Sequence, residues 1–125
     1  MRNMSILVVE DSAAMRSAIM SSLRNLDANF IEIDDGALAL DAYADHRPDW
    51  VLMDLQMKEV DGLVATSQIR AAYPEARIVI VTNFDDTQLR DAAREAGACG
   101  YVVKDDLLAL RAIIRQREQN AASTD

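Results

Sequence analysis

Short runs of apolar residues, each the length of a β-strand, alternate with segments in which apolar residues recur at helical spacing. The runs cover residues 5–10, 29–33, 50–53, 77–82 and 100–103. Helical spacing between and after them predicts five helices, the first over residues 13–26 and the fourth over residues 85–96. Gly97 is predicted to end the fourth helix as a left-handed cap, and the Asp-Gly pair at 61–62 predicts a turn before the third. Strands that alternate with helices are typical of βα units around a parallel sheet. The pattern therefore predicts an α/β protein.

Continuous apolar runs such as residues 6–9 fit strands that are covered by helices on both faces. Five βα units in 125 residues predict a flavodoxin-like, doubly wound, five-stranded parallel sheet flanked by five helices. The length is that of one domain, residues 1–125. We expect its core within residues 5–118, followed by a polar tail over residues 119–125 that frays.

The charge and composition of the chain argue against several classes of protein. A net charge of −8 disfavours direct nucleic-acid binding by this chain, because such binding needs clustered lysine and arginine. No segment has the roughly 20 consecutive apolar residues of a membrane helix, so we expect no membrane association. The single cysteine, Cys99, cannot form an internal disulfide. We expect it to be buried beside the last strand, and the protein to be cytoplasmic.

Residues that can handle a phosphoryl group or a metal ion stand at the ends of four predicted strands. Glu10 and Asp11 stand where the first strand ends, and Asp54 follows the third. Thr82 ends the fourth strand, and Lys104 follows the fifth. Because the carboxyl ends of parallel strands share one edge of the sheet, these residues are expected to converge on one pocket. Their carboxylates, hydroxyl and ammonium suit Mg²⁺-assisted phosphorylation of a carboxylate.

Each of these residues also has an ordinary structural interpretation. Glu10 and Asp11 could cap the following helix and compensate its dipole, and Ser12 is placed to cap it as well. Thr82 could be a plain strand residue, and Lys104 a surface lysine before a helix. Only the joint occurrence of the whole set favours the chemical interpretation.

Four segments together resemble the receiver domain of bacterial response regulators, over about residues 5–118. They are VVEDSAAMR (8–16), PDWVLMDLQMKEVDGL (48–63), IVIVTNF (78–84) and GACGYVVKDDL (97–107). The resemblance implies the strand order 2-1-3-4-5 within the flavodoxin-like fold.

The resemblance also implies a role for each residue of the expected pocket. The residues implied to bind Mg²⁺ are Glu10, Asp11, Asp54 and Gln56, the last through its backbone carbonyl. Asp54 would also be the phospho-acceptor, and Thr82 and Lys104 would contact the phosphoryl group. Thr82 and the aromatic residue Tyr101 would change position when the group is added.

The implied function is that of a phosphorylation-activated switch. A sensor histidine kinase or a phosphotransfer protein would phosphorylate Asp54. The signal would leave through the fourth helix, fifth strand and fifth helix, towards a downstream protein or an output domain, with homodimerisation as a further option. Beyond its own phosphorylation and dephosphorylation, the chain would not be an enzyme.

Other interpretations stay open at this point. The chain could be a binding module that works without phosphorylation, or the receiver part of a larger DNA-binding regulator. A phosphohydrolase is disfavoured, because such sites usually have a second aspartate two residues after the nucleophile, where Gln56 stands.

The sequence departs from the usual family pattern at several positions. Lys58 and Asp105 stand where proline is common, so we expect a more mobile loop at Lys58 and no cis peptide before Asp105. Asn83 stands where a small residue is common. The first acidic residue is Glu10 rather than aspartate, which we expect to leave metal binding intact.

Overall fold

The computed structural model describes residues 3–57 and 61–123, with side chains as far as residue 119. Five strands and five α-helices alternate along this part of the chain. The strands are β1 (Met4–Val9), β2 (Ala28–Ile33), β3 (Trp50–Met53), β4 (Ile78–Thr82) and β5 (Gly100–Val103). The helices are α1 (Ala13–Ser22), α2 (Ala39–His46), α3 (Gly62–Ala72), α4 (Thr87–Ala96) and α5 (Leu107–Ser123). All neighbouring strands are parallel, in the order β2-β1-β3-β4-β5, which confirms the predicted flavodoxin-like sheet.

The two faces of the sheet receive alternate residues of the same strands. Leu7, Val51 and Ile80 belong to the core that β1, β3 and β4 form with α2, α3 and α4. Their neighbours in sequence, such as Trp50 and Val79, pack with α1 and α5 on the other face. Because both faces are covered, β3 is apolar throughout, β4 up to its last residue, Thr82, and β1 at every position but one. Ser5, in β1, is the exception on that strand and is only partly buried.

The helix ends explain where the sequence prediction was accurate. The Ser12 side chain accepts a hydrogen bond from the Met15 N–H and caps α1, as expected. Asp61 and Asp86 cap α3 and α4 in the same way. Gly97 ends α4 in the left-handed region, with φ of 111°, which confirms its predicted role as a C-terminal cap. Three helices thus begin after a polar residue whose side chain accepts a hydrogen bond from a backbone N–H of the first turn.

Three helices differ from the prediction in where they begin or end. Helix α4 begins at Thr87 rather than at residue 85, because Asp86 has an extended backbone and is its N-cap. Helix α1 ends at Ser22 rather than at residue 26, because the chain tightens there and the Leu23 N–H donates to the carbonyls of Met20 and Ser21. Helix α5 continues to Ser123, so residues 119–123 of the segment expected to fray are helical, and the last two residues lie outside the described part of the chain. Glutamine and alanine in this segment are good helix formers, which accounts for the extension. A 3₁₀ turn at Gly36–Leu38 precedes α2.

Other expectations have mixed outcomes. Cys99 is exposed, so the prediction that it is buried was wrong. It precedes β5, which forms one edge of the sheet and is covered less than the central strands. The described part of the chain contains no cis peptide bond. None of its helices is both long and apolar enough to cross a bilayer. Lys58 lies outside the described residues.

Candidate functional site

The predicted pocket residues meet at the carboxyl ends of the strands. One open cleft is lined by Glu10, Asp11, Asp54, Gln56, Thr82 and Lys104. Glu10, Asp54 and Thr82 are buried, although each carries a polar side chain. Asn83 and Phe84 also line the cleft, whereas Tyr101 lies outside it. The structure therefore brings together all the residues for which the sequence predicted metal or phosphoryl contacts.

Three carboxylates form the acidic part of the cleft. One oxygen from each of Glu10, Asp11 and Asp54 lies within 4.8 Å of the others, so the three could hold a metal ion. The Lys104 Nζ lies 2.6 Å from Glu10 Oε1 and 3.4 Å from Asp54 Oδ1. One ammonium cannot balance three carboxylates, and the site has an excess of negative charge. A hard divalent cation such as Mg²⁺ fits both this excess and the oxygen donors.

The pKa values of the buried pair reflect this imbalance. Burial raises the pKa of Glu10 above its ordinary value, and the Asp54 carboxylate adds to the rise, while Lys104 and the Ser12 N–H oppose it. Burial lowers the pKa of Lys104, but its contacts with Glu10 and Asp54 outweigh burial and leave that pKa above its ordinary value. Lys104 is therefore a permanently charged group at neutral pH, and Glu10 is a carboxylate that lacks a full counter-charge.

Main-chain hydrogen bonds fix the backbone at the residues that carry the two central carboxylates. The Glu10 N–H donates to the Ile33 carbonyl at 3.1 Å, and the Asp54 N–H donates to the Val9 carbonyl at 3.0 Å. Glu10 Oε2 also accepts a hydrogen bond from the Ser12 N–H at 3.1 Å. The side chain of Ser12, and not that of Glu10 or Asp11, makes the capping bond to α1, which argues against capping as the role of the acidic pair.

Gly62 is a part of the site that the sequence indicated only as a turn. The first residue of α3 is packed so closely that a Cβ atom would lie 2.0 Å from the Asp54 carbonyl oxygen. Its N–H donates to the Leu55 carbonyl at 3.0 Å. Only glycine permits this approach of α3 to the end of β3. The Asp-Gly pair at 61–62 was the available sequence signal.

A second set of contacts, also absent from the sequence analysis, connects the cleft to α4. The Phe84 N–H donates to Thr82 Oγ1 at 3.3 Å, and the Tyr101 hydroxyl donates to the Phe84 carbonyl at 2.6 Å. The Arg90 guanidinium lies 4.6 Å from the centre of the Tyr101 ring and pairs with Asp85 at 3.1 Å. The N–H and the carbonyl of one residue, Phe84, therefore contact the two residues predicted to switch. No sequence pattern places a main-chain group in this way.

The parallel sheet, with buried carboxylates and a lysine at its carboxyl edge, places the chain in the class of flavodoxin-like α/β domains that carry an acidic cleft. Residues 6–115 match the family described as "Response regulator receiver domain", and the chain belongs to that family. It is 37% identical over 117 residues to response regulator MprA of Mycobacterium sp. (strain KMS), covering 89% of this chain and 50% of MprA. It is 36% identical over 100 residues to chemotaxis protein CheY of Bacillus subtilis (strain 168), covering 79% of this chain and 83% of CheY.

A solved structure agrees with these sequence relatives. A two-component response regulator of the LuxR family from Aurantimonas sp. SI85-9A1 superposes with a TM-score of 0.86 at 31% identity, covering 92% of this chain and 84% of that one. The chain spans about half the length of the MprA relatives that it matches, 50% in the alignment above.

Mg²⁺ is expected to stabilise the fold, and to do so less at low pH. At a free concentration of about 100 times its dissociation constant, the gain in unfolding free energy would be about 2.7 kcal/mol. The gain should fall as the pH drops through the raised pKa of Glu10, because a protonated carboxyl must lose its proton to bind the cation.

In the metal-free protein, the contribution of Glu10 to the free energy of unfolding changes with pH in the opposite direction. A carboxyl whose pKa is raised by folding destabilises the folded state when ionised, so its contribution improves as the pH falls through that pKa. Thermal unfolding with Mg²⁺ and with K⁺ at equal ionic strength, at several pH values, measures the difference. Curves that stay equally far apart at every pH would contradict this account.

Proposed function

We propose that this chain is a phosphorylation-activated switch in which Asp54 accepts a phosphoryl group. The observation that carries the proposal is the position of Asp54. Its carboxylate is buried, lies 3.4 Å from the Lys104 ammonium and shares a cluster of oxygens with Glu10 and Asp11. A carboxylate nucleophile needs such neighbours, because charge redistributes over the phosphoryl oxygens during transfer.

The proposed donor is a phosphohistidine of a sensor kinase or a phosphotransfer protein. A carboxylate oxygen of Asp54 attacks phosphorus and forms an O–P bond. The N–P bond of the donor breaks, and the imidazole nitrogen keeps the electron pair and takes up a proton. The return step is hydrolysis: water attacks phosphorus, the Asp54 carboxylate leaves, and inorganic phosphate is released.

Each residue of the cleft has a part in this proposal. Glu10, Asp11, Asp54 and the backbone carbonyl of Gln56 would hold Mg²⁺. When bound, Mg²⁺ neutralises charge on the carboxylates and on the phosphoryl oxygens. The Lys104 ammonium stabilises charge on the same phosphoryl oxygens, and the Thr82 hydroxyl donates a hydrogen bond to one of them.

The proposed signal passes from Thr82 to the surface of α4, β5 and α5. When the Thr82 hydroxyl turns to the phosphoryl group, its contact with the Phe84 N–H is lost. The Phe84 carbonyl accepts the hydrogen bond of the Tyr101 hydroxyl, so a shift of the backbone at Phe84 changes the position of Tyr101. Arg90 connects the same ring to α4. A partner that contacts this surface would then distinguish the two forms of the protein.

The proposed chemistry is confined to the protein itself, without turnover of other substrates. Gln56 stands where a phosphohydrolase would need a general acid, and an amide side chain cannot supply a proton. The downstream partner is proposed as a protein or an output domain. An output domain is consistent with the match to MprA, which covers only 50% of that relative.

Hydrogen exchange of the whole chain tests the switch. We expect acetyl phosphate with Mg²⁺ to change amide exchange in peptides from the segment 83–90 and from β5, and to have no such effect on Asp54→Asn. Acetyl phosphate without Mg²⁺ is the second control. Unchanged exchange at these peptides in a fully phosphorylated sample would overturn the proposed signalling surface.

A further inference from the structure

The fourth residue of α1, Arg16, occupies an unfavourable place for a cation. The N-terminal end of a helix carries the positive end of the helix dipole, which disfavours positive charge. The Arg16 side chain is nevertheless largely withdrawn from solvent, with an exposed fraction of 17%. Contacts outside the helix must therefore hold the Arg16 side chain, and one of them is with a residue of the carboxylate cluster.

Arg16 makes two directed contacts on different elements. One terminal nitrogen, Nη1, donates to the Glu10 carbonyl oxygen at 2.7 Å. The Nε donates to Glu32 Oε1 at 2.9 Å, and Glu32 lies in β2. The planar guanidinium offers several donors in fixed directions, so one side chain can join the end of β1 to β2. Glu32 also supplies the counter-charge that Arg16 needs.

The contact at Glu10 fixes a peptide plane rather than a side chain. The Glu10 carbonyl and the Asp11 N–H belong to one planar unit, whose orientation sets the backbone angles on both sides. The Glu10 N–H is already held by the Ile33 carbonyl at 3.1 Å. With the carbonyl held by Arg16, the directions in which the Glu10 and Asp11 side chains leave the backbone are determined together.

We infer that Arg16 is a positioning residue for the metal site, and that Glu32 orients Arg16. Neither residue belongs to the carboxylate cluster itself. The inference rests on the proposed function, because it assumes that Glu10 and Asp11 bind Mg²⁺. Groups that orient metal ligands commonly change metal affinity by about tenfold or more when they are removed.

The direction of the effect separates positioning from simple electrostatics. Arg16 is a positive charge near a cation site, so by Coulomb repulsion alone its removal would tighten Mg²⁺ binding. If Arg16 holds the peptide between the two ligands, its removal must weaken Mg²⁺ binding instead. We expect Arg16→Met, which keeps the apolar stem of the side chain, to weaken binding about tenfold.

Calorimetric titration of the whole chain with Mg²⁺ makes the test without any phosphodonor. Arg24→Met is the matched control, because it removes the same charge from an exposed arginine just beyond α1. Arg16→Lys keeps the charge but cannot reproduce the two-directional contact, so it should weaken binding as well. In the Arg16→Met background, Glu32→Gln should have no further effect.

The outcomes distinguish this inference from the proposed function. Equal or tighter Mg²⁺ binding by Arg16→Met, in a wild type that binds Mg²⁺, would overturn the positioning role and leave the switch untouched. A wild type that binds no Mg²⁺ would overturn both. The metal-free proteins give an independent readout: the Asp11 amide resonance should shift in Arg16→Met and not in Arg24→Met, and an unshifted resonance contradicts the inference.

Discussion

Replacing Lys104 by methionine is expected to slow phosphorylation of Asp54 about a hundredfold while leaving Mg²⁺ bound at least as tightly. The ammonium lies 3.4 Å from Asp54 Oδ1, where it can stabilise charge that develops on a phosphoryl oxygen. It also lies 2.6 Å from Glu10 Oε1, so a cation that enters the site must compete with the ammonium for that carboxylate. Removal of Lys104 therefore harms the transfer step and relieves the competition.

The rate of adduct formation from acetyl phosphate and calorimetric Mg²⁺ titration measure the two effects separately. Arg94→Met, which removes a charge from an exposed side chain on α4, is the control. In the absence of Mg²⁺, Lys104→Met should also have a lower unfolding temperature, because two buried carboxylates lose their counter-charge. A wild-type phosphorylation rate in Lys104→Met would show that the ammonium takes no part in transfer.

Alanine at position 62 is expected to destabilise the protein by about 3 kcal/mol and to disturb the phospho-acceptor. A Cβ atom there would lie 2.0 Å from the Asp54 carbonyl oxygen and 2.9 Å from its carbonyl carbon. Both are backbone atoms, so the contact can be relieved only if α3 moves away from the end of β3. That movement would also displace Asp54 relative to Lys104.

Gly100→Ala is the matched control for this prediction. The nearest atoms to a Cβ at Gly100 are side-chain atoms of Val79, at 3.3 Å and 3.4 Å, which can adjust. Its effect on the unfolding free energy should be within about 1 kcal/mol. Denaturant unfolding of the two variants compares them directly. If Gly62→Ala proves as stable as Gly100→Ala, the close packing of α3 on β3 is not a constraint on the fold.

The fold could be predicted from the sequence because its main determinants are local. Buried parallel strands are apolar nearly throughout, so their bounds were predicted to within one residue. Helix ends were predicted where a cap residue marks them, as at Ser12 and Gly97. The end of α1 and the extent of α5 were not, because neither has such a mark. The exposure of Cys99 was not predicted, because it depends on the position of β5 at the sheet edge, which the residues around Cys99 in the sequence do not encode.

The site could be predicted in part for a related reason. Side chains at the carboxyl ends of parallel strands must share an edge, so Glu10, Asp54 and Lys104 could be brought together from the strand pattern alone. Contacts that involve the main chain could not. The hydrogen bond from Arg16 to the Glu10 carbonyl, and the two hydrogen bonds at Phe84, depend on loop conformations that no residue type specifies.

Intact-protein mass after incubation with acetyl phosphate, with and without Mg²⁺, bears most directly on the claim that Asp54 is the phospho-acceptor. We expect a single phosphoryl adduct on the wild type that requires Mg²⁺ and is absent from Asp54→Asn. A phosphorylated histidine kinase serves as a second donor. A wild type that forms no adduct with either donor, or an adduct that persists in Asp54→Asn, would contradict the account.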